Sequence, residues 1–287
     1  MRDLATAPEH FGLNTATLRQ WNLEQIIDAC ASRGIGAIAP WHEDVERMGV
    51  RAVRRMLDDA GLALCGYCRG GFFPALTAES RNQVLNRNRH ILDVARELDA
   101  PCVALVAGGL PGVHDGVAPS RDIDDARNQV RDGIAQLLKH ATEIGMPLAI
   151  EPLHPMYAAD RACINTLAHA LDICEELDPD GDGALGVAVD CYHVWWDPDL
   201  EQQIARAGRK RLMGFHVCDW LVPTRDMLND RGMMGDGIID IPKIRGWVER
   251  TGFDGFVEVE IFSRDNWWKR DGEEVLDVCM DRFKTVV

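Results

Sequence analysis

Eight short apolar runs, each about the length of a strand, alternate with longer stretches of helical periodicity along this 287-residue chain. The runs are FGLNTATL (11–18), IGAIAPW (35–41), LALCGYC (62–68), CVALVAG (102–108), PLAIEPL (147–153), LGVAVDCYH (185–193), LMGFHVCDW (212–220) and GFVEVEIF (255–262). Helical segments such as NLEQIIDACASRG, VRAVRRMLDDAG, ESRNQVLNRNRHILDVARELDA and DIDDARNQVRDGIAQLLKHATEIG separate them, and several stop at a glycine just before the next run. A closed parallel barrel needs eight such units and typically about 250 residues. Open doubly wound sheets share the alternation, but no GxGxxG follows the first run. GLPG (109–112) and GDG (235–237) read as turns, and no Pro/Ser/Gly-rich linker divides the chain. The expectation is an α/β fold: one (β/α)8 barrel domain over residues 1–287, with an active site at the C-terminal ends of its strands.

Composition narrows the function classes. An apolar content of 46% supports a large core, and no apolar run approaches the roughly 18 residues of a membrane helix. The opening MRDLATAPEHFG lacks the apolar centre of a signal peptide, so a cytoplasmic protein is expected. The nine cysteines, Cys102, Cys163, Cys174, Cys191 and Cys279 among them, fall at apolar positions and read as small buried hydrophobes in a reducing compartment. Cys65 and Cys68 form a CxxC inside an apolar run without a partner pair, which reads as packing. A net charge of −15 repels a phosphate backbone, so no nucleic-acid partner is expected. The Arg-rich stretch at 81–90 is the best basic patch and reads as a solvated helix face.

Four of the runs end in a metal-ligand type: Glu151, Asp190, His216 and Glu260. Side chains alternate across a strand, so Phe256, Glu258 and Glu260 share one face while Val257, Val259 and Ile261 share the other. The same parity sets Ala149, Ala188 and Gly214 beneath the other three candidates, leaving them room inside the barrel. Three converging carboxylates repel one another unless a cation joins them, and few Lys or Arg occupy inward-facing strand positions. One divalent ion of the Mn, Mg, Co or Zn kind is the expected cofactor. Glu258, a layer deeper, reads as a supporting or protonated carboxylate, and His193 as a substrate contact or a group behind the ligands.

EPLHP, VDCYH, HVCDW, DRGMMGDGIID and VEVEIF together resemble the xylose-isomerase-like TIM-barrel superfamily, in its sugar phosphate isomerase/epimerase branch. These motifs cover about residues 147–263. The resemblance implies that Glu151, Asp190, His216 and Glu260 bind one ion, that Glu151 and Glu260 act as acid/base residues, and that His193 and Arg231 contact substrate. It further implies isomerisation or epimerisation of a sugar or cyclitol through a metal-stabilised enediolate, with an inosose-type dehydratase as the alternative. Pro152, Leu153 and His154 follow Glu151 where xylose isomerase itself has a nearby lysine, and Asp230, Arg231, Gly232 replaces the Asp-Arg-His triplet of trinuclear abasic-site nucleases. A noncatalytic sugar-binding barrel is the remaining rival.

Trp195, Trp196, Trp220, Trp267 and Trp268 read equally as sugar-facing pocket walls or as loop-packing and subunit-contact residues, and His42, His114 and His154, which follow strands, could line the pocket but read individually as loop or capping histidines. No basic cradle for phosphate is plain in the sequence. A homo-oligomer is compatible with everything above.

Overall fold

In a computed structural model describing residues 2–113, 115 and 118–287, the apolar runs become a ring of parallel strands. The strands are β1 (Phe11–Asn14), β2 (Ala37–Ala39), β3 (Ala63–Leu64), β4 (Tyr67–Gly71), β5 (Val103–Val106), β6 (Leu148–Glu151), β7 (Leu185–Asp190), β8 (Leu212–Val217) and, last in the chain, β11 (Val257–Val259). Between β8 and β11 a two-residue antiparallel ladder joins β9 (Asp219–Trp220) to β10 (Arg231–Gly232). Around the sheet the order is β3-β2-β1-β11-β8-β7-β6-β5-β4, with every pairing parallel.

The third run supplies both ends of this order. It is interrupted at Cys65 and Gly66, so that Ala63–Leu64 pairs with β2 while Tyr67–Gly71 pairs with β5. A parallel bridge between Trp41 and Cys68 spans the break and all but closes the barrel. The nine strands therefore occupy the eight positions expected. Other boundaries are shorter than the runs: residues 15–18 form a 3-10 turn, and 191–194 form a helical turn after β7.

Helices α1 (Leu23–Ser32), α2 (His42–Met48), α3 (Val50–Ala60), α4 (Ala78–Glu97), α5 (Ile123–Ile144), α6 (Leu167–Leu177), α7 (Cys191–Val194), α8 (Leu200–Arg211), α9 (Ile241–Arg250) and α10 (Gly272–Thr285) connect the strands. Their ends follow local chemistry. Asp122 accepts from the backbone of Asp124 and Asp125 to start α5, and left-handed Gly145 stops it two residues before Pro147 and β6. Among the described residues no helix is long and apolar enough to cross a membrane.

Two apolar layers differ in side-chain size. Between strands and helices lies a continuous core of Leu, Ile, Val and Phe, with Phe11 packed edge-on against Phe283 at 4.9 Å. Inside the ring the packing is small: Ala37, Ala39 and Cys65 on one side, and Cys102, Ala149 and Ala188 on the other. This contrast confirms the parity reading and leaves volume near the strand ends for polar groups. All nine cysteines are buried and free.

Where β4 meets β5 the backbones approach so closely that a side chain at Gly71 has no room. Its φ is +109°, and a Cβ there would sit 1.9 Å from the Val106 carbonyl oxygen. Gly71→Ala is expected to destabilise the fold by about 2–4 kcal/mol through backbone strain and overpacking, read as a lower midpoint in chemical denaturation. A midpoint unchanged from wild type contradicts the close approach.

Candidate functional site

The C-terminal ends of four adjacent strands bring the expected quartet together. Glu151 closes β6, Asp190 closes β7, His216 lies on β8, and Glu260 follows β11 directly, its N–H continuing the ladder to the Val217 carbonyl at 3.1 Å. One donor atom from each lies within 4.8 Å of the other three, and all four side chains are buried. Gly214 keeps the space open: a Cβ there would lie 3.1 Å from His216 Nε2.

Sequence reasoning found few cations to balance these carboxylates. The structure supplies one from outside the barrel strands. Arg231, on β10, is 3% exposed and sets Nη1 3.0 Å from Asp190 Oδ2 and 3.1 Å from Glu260 Oε2. Its Nη2 lies 3.1 Å from His193 Nε2, and its guanidinium packs 4.4 Å from the Tyr192 ring centre and 5.0 Å from that of Phe262. On the opposite flank His216 Nδ1 pairs with Glu151 Oε1 at 2.8 Å, and His216 Nε2 faces Glu258 Oε2 at 3.7 Å. Glu258 also accepts from Asn14 Nδ2 at 2.7 Å, while Asn14 Oδ1 accepts from Trp41 Nε1 at 2.9 Å. Glu258 therefore supports His216 from beneath, as its deeper position implied.

The electrostatics separate the two glutamates. Burial opposes ionisation of both. For Glu151 the hydrogen bond and charge of His216 outweigh burial and hold the carboxyl below its usual range. Glu260 is driven upward by burial; Arg231 pulls against that shift, while Glu151 and Asp190 reinforce it. Burial also opposes a charged His216, but Glu258 and Glu151 prevail and raise it. Burial lowers His193 to about 4 against the pull of Asp190, leaving a neutral imidazole beside Arg231.

Above the quartet opens a cavity of about 460 Å³, within the roughly 300–1,000 Å³ usual for small-molecule sites. Glu151, His193, Arg231 and Glu260 line it, while Asp190 and His216 lie behind the wall. Three carboxylates and an imidazole fit a divalent ion of the Mn, Mg, Co or Zn class, since the set offers oxygen and nitrogen donors with no thiolate among them. Cys68, Glu258 and Glu260 form an overlapping group, and His42, Glu46 and His90 a separate one between α2 and α4.

Of the five tryptophans that read equally as walls or packing, Trp268 lines the cavity. Trp220 instead stacks on His154 at 4.7 Å and leans on Tyr192 at 4.7 Å, with Trp195 beside it at 5.8 Å. Trp196 donates to the His193 carbonyl, and Trp267 is buried. Trp41, which ends the second run, lines the cavity and was visible to the same reasoning. His42 is buried with Nδ1 2.9 Å from the Tyr67 hydroxyl, and His114 lies outside the described residues. The Arg-rich stretch sits on α4, where Arg87 and His90 pair with Glu43 and Glu46. In the GDG turn the backbone N–H groups of Gly235 and Gly237 both donate to Asp219. Arg19, Arg69 and Arg161, which no sequence motif brings together, also line the cavity.

A family model described as xylose isomerase-like TIM barrel matches residues 27–280. The chain belongs to that family. An inosose isomerase from Bacillus velezensis is 22% identical over 282 residues, covering 94% of each chain. Among solved structures, protein SMc04130 from Sinorhizobium meliloti 1021 is 54% identical over 97% of this chain and 98% of its own, with a TM-score of 0.92. The IOLI protein, crystallised with a zinc atom, is 19% identical over 96% of this chain and 97% of its own, with a TM-score of 0.80, a likeness of fold.

Arg231→Met in this xylose isomerase-like barrel leaves Asp190 and Glu260 buried without their cation. Metal-free protein is expected to lose about 3–5 kcal/mol, whereas Arg250→Met, which breaks an exposed pair with Glu201, changes stability by less than about 1 kcal/mol. Equal midpoints for the two variants in urea titration contradict the assignment.

Proposed function

We propose that this chain is a divalent-metal-dependent isomerase or epimerase of a polyhydroxy carbonyl compound, a sugar or a cyclitol. One observation carries the reading: within a quartet whose donor atoms lie inside 4.8 Å, the two glutamates also face the cavity while Asp190 and His216 do not. Glu151 and Glu260 are thereby placed both to hold an ion and to reach a substrate. The zinc atom of the IOLI protein and the activity named for the Bacillus velezensis relative support the same class.

When bound, a divalent ion polarises a carbonyl and its neighbouring hydroxyl and so acidifies the C–H beside them. The protein's own part is proton handling. Glu151 and Glu260 reach the cavity from β6 and from the end of β11, two strands with β7 and β8 between them, and their environments push their proton affinities apart. That separation suits one group to take a proton and the other to return it. Return to the opposite face epimerises the carbon, and return to its neighbour moves the carbonyl. Arg231 and neutral His193 donate and accept at substrate oxygens.

The purified protein is expected to carry one divalent ion per chain by metal analysis. Incubated with candidate ketoses and inososes in D₂O, it should place deuterium at one carbon, visible by NMR. Glu151→Gln and Glu260→Gln should each lower kcat by about 10²–10⁴-fold. Full turnover in both variants refutes the proton-transfer roles, and a product that has lost water assigns the site to dehydration.

A further inference from the structure

The cavity holds more positive charge than proton transfer needs. Besides Arg231, whose charge is absorbed by Asp190 and Glu260, the walls carry Arg19, Arg69 and Arg161. Arg19 is exposed and pairs with Asp44 at 3.5 Å. Arg69 and Arg161 differ from it and from most arginines of this acidic chain: among the described residues neither guanidinium has a carboxylate partner or a hydrogen bond. Arg69, immediately after Cys68 on β4, is only partly exposed, with its guanidinium 4.9 Å from the Trp41 ring centre and 4.7 Å from that of Phe72. Arg161, on the segment following β6, has its Nε buried without a partner and lies 6.0 Å from the ring centre of Tyr157, another lining residue.

Aromatic faces fix the position of Arg69 while leaving its N–H groups unspent. The framework holds Arg161 through its backbone, whose N–H donates to the Tyr157 carbonyl at 3.0 Å and whose neighbour Ala162 bridges to Gly108. Burial holds the Arg69 guanidinium below its usual range, and the positive charge of Arg161, another wall of the same cavity, pushes it the same way. Such a pair is accounted for by a ligand that brings the missing negative charge, and guanidinium forks match the planar or tetrahedral oxygens of carboxylate and phosphate.

We propose that Arg69 and Arg161 form an anion subsite that holds a phosphate or carboxylate substituent on the substrate, so that the compound turned over is an acidic sugar or cyclitol derivative. This rests on the proton-transfer reading above for the identity of the rest of the molecule. The subsite itself is separable, because it can be titrated with compounds that do not react.

Three related polyols serve as probes in calorimetric titration of the metal-loaded protein: sorbitol, sorbitol 6-phosphate and gluconate. Wild type is expected to bind one of the two anions at least tenfold more tightly than sorbitol, and which one names the substituent. Arg69→Gln and Arg161→Gln should each cut that preference at least tenfold while leaving sorbitol affinity and the thermal midpoint unchanged, and Arg161→Lys should retain part of it. A wild type that prefers neither anion, or a preference that survives in both glutamine variants, overturns the subsite. Selective anion binding in a protein that exchanges no deuterium with any acidic sugar would keep the subsite and refute the reaction instead.

Discussion

Burying several carboxylates at one spot is the constraint around which this barrel is organised. Asp190, Glu151, Glu258 and Glu260 are all under one-tenth exposed, and leaving even one such charge without compensation costs several kcal/mol. The chain balances them on two flanks. His216 is shared between Glu151 and Glu258, and Arg231 between Asp190 and Glu260. The small residues inside the ring follow from this arrangement, since Ala149, Ala188 and Gly214 leave the volume that the polar cluster occupies.

Much of this was legible in the sequence because strand geometry is periodic. Alternation along GFVEVEIF settles which glutamates point inward, and a ligand type at the end of each run settles the height in the barrel. The quartet and the single ring of strands therefore emerge from residue order alone. What stayed hidden has a common physical origin. The resemblance pointed to Arg231 as a substrate contact, but it sits in a connection rather than a barrel strand, and nothing in its local sequence states that it folds back between Tyr192 and Phe262 to pair with Asp190 and Glu260. Arg69 and Arg161 are 92 positions apart and meet at one cavity only because β4, β5 and β6 are neighbours. The break at Cys65 and Gly66 was equally invisible, as LALCGYC reads as one uninterrupted strand.

The aromatic residues show how composition misleads when position is unknown. Eight tryptophans in an enzyme-sized chain invite the idea of a sugar platform. Trp195 and Trp220 instead build a wall behind His154 and Tyr192, which fixes the ring that Arg231 lies against. Trp41 lines the cavity and donates to Asn14, which in turn donates to Glu258.

The strip carrying Arg231 has a further consequence. Backbone pairing ties it to the segment after β11: Arg231 N–H donates to the Phe262 carbonyl, Arg264 N–H to that of Asn229, and Asp230 bridges Ser263. Leu228 and Asn229, which precede it, form part of the cavity lining. Anchorage and selectivity thus reside on neighbouring positions of one pinned ribbon. Evolution, or an engineer, can exchange the side chains at 228 and 229 to reshape the chamber for a different guest while the guanidinium two residues away stays in register.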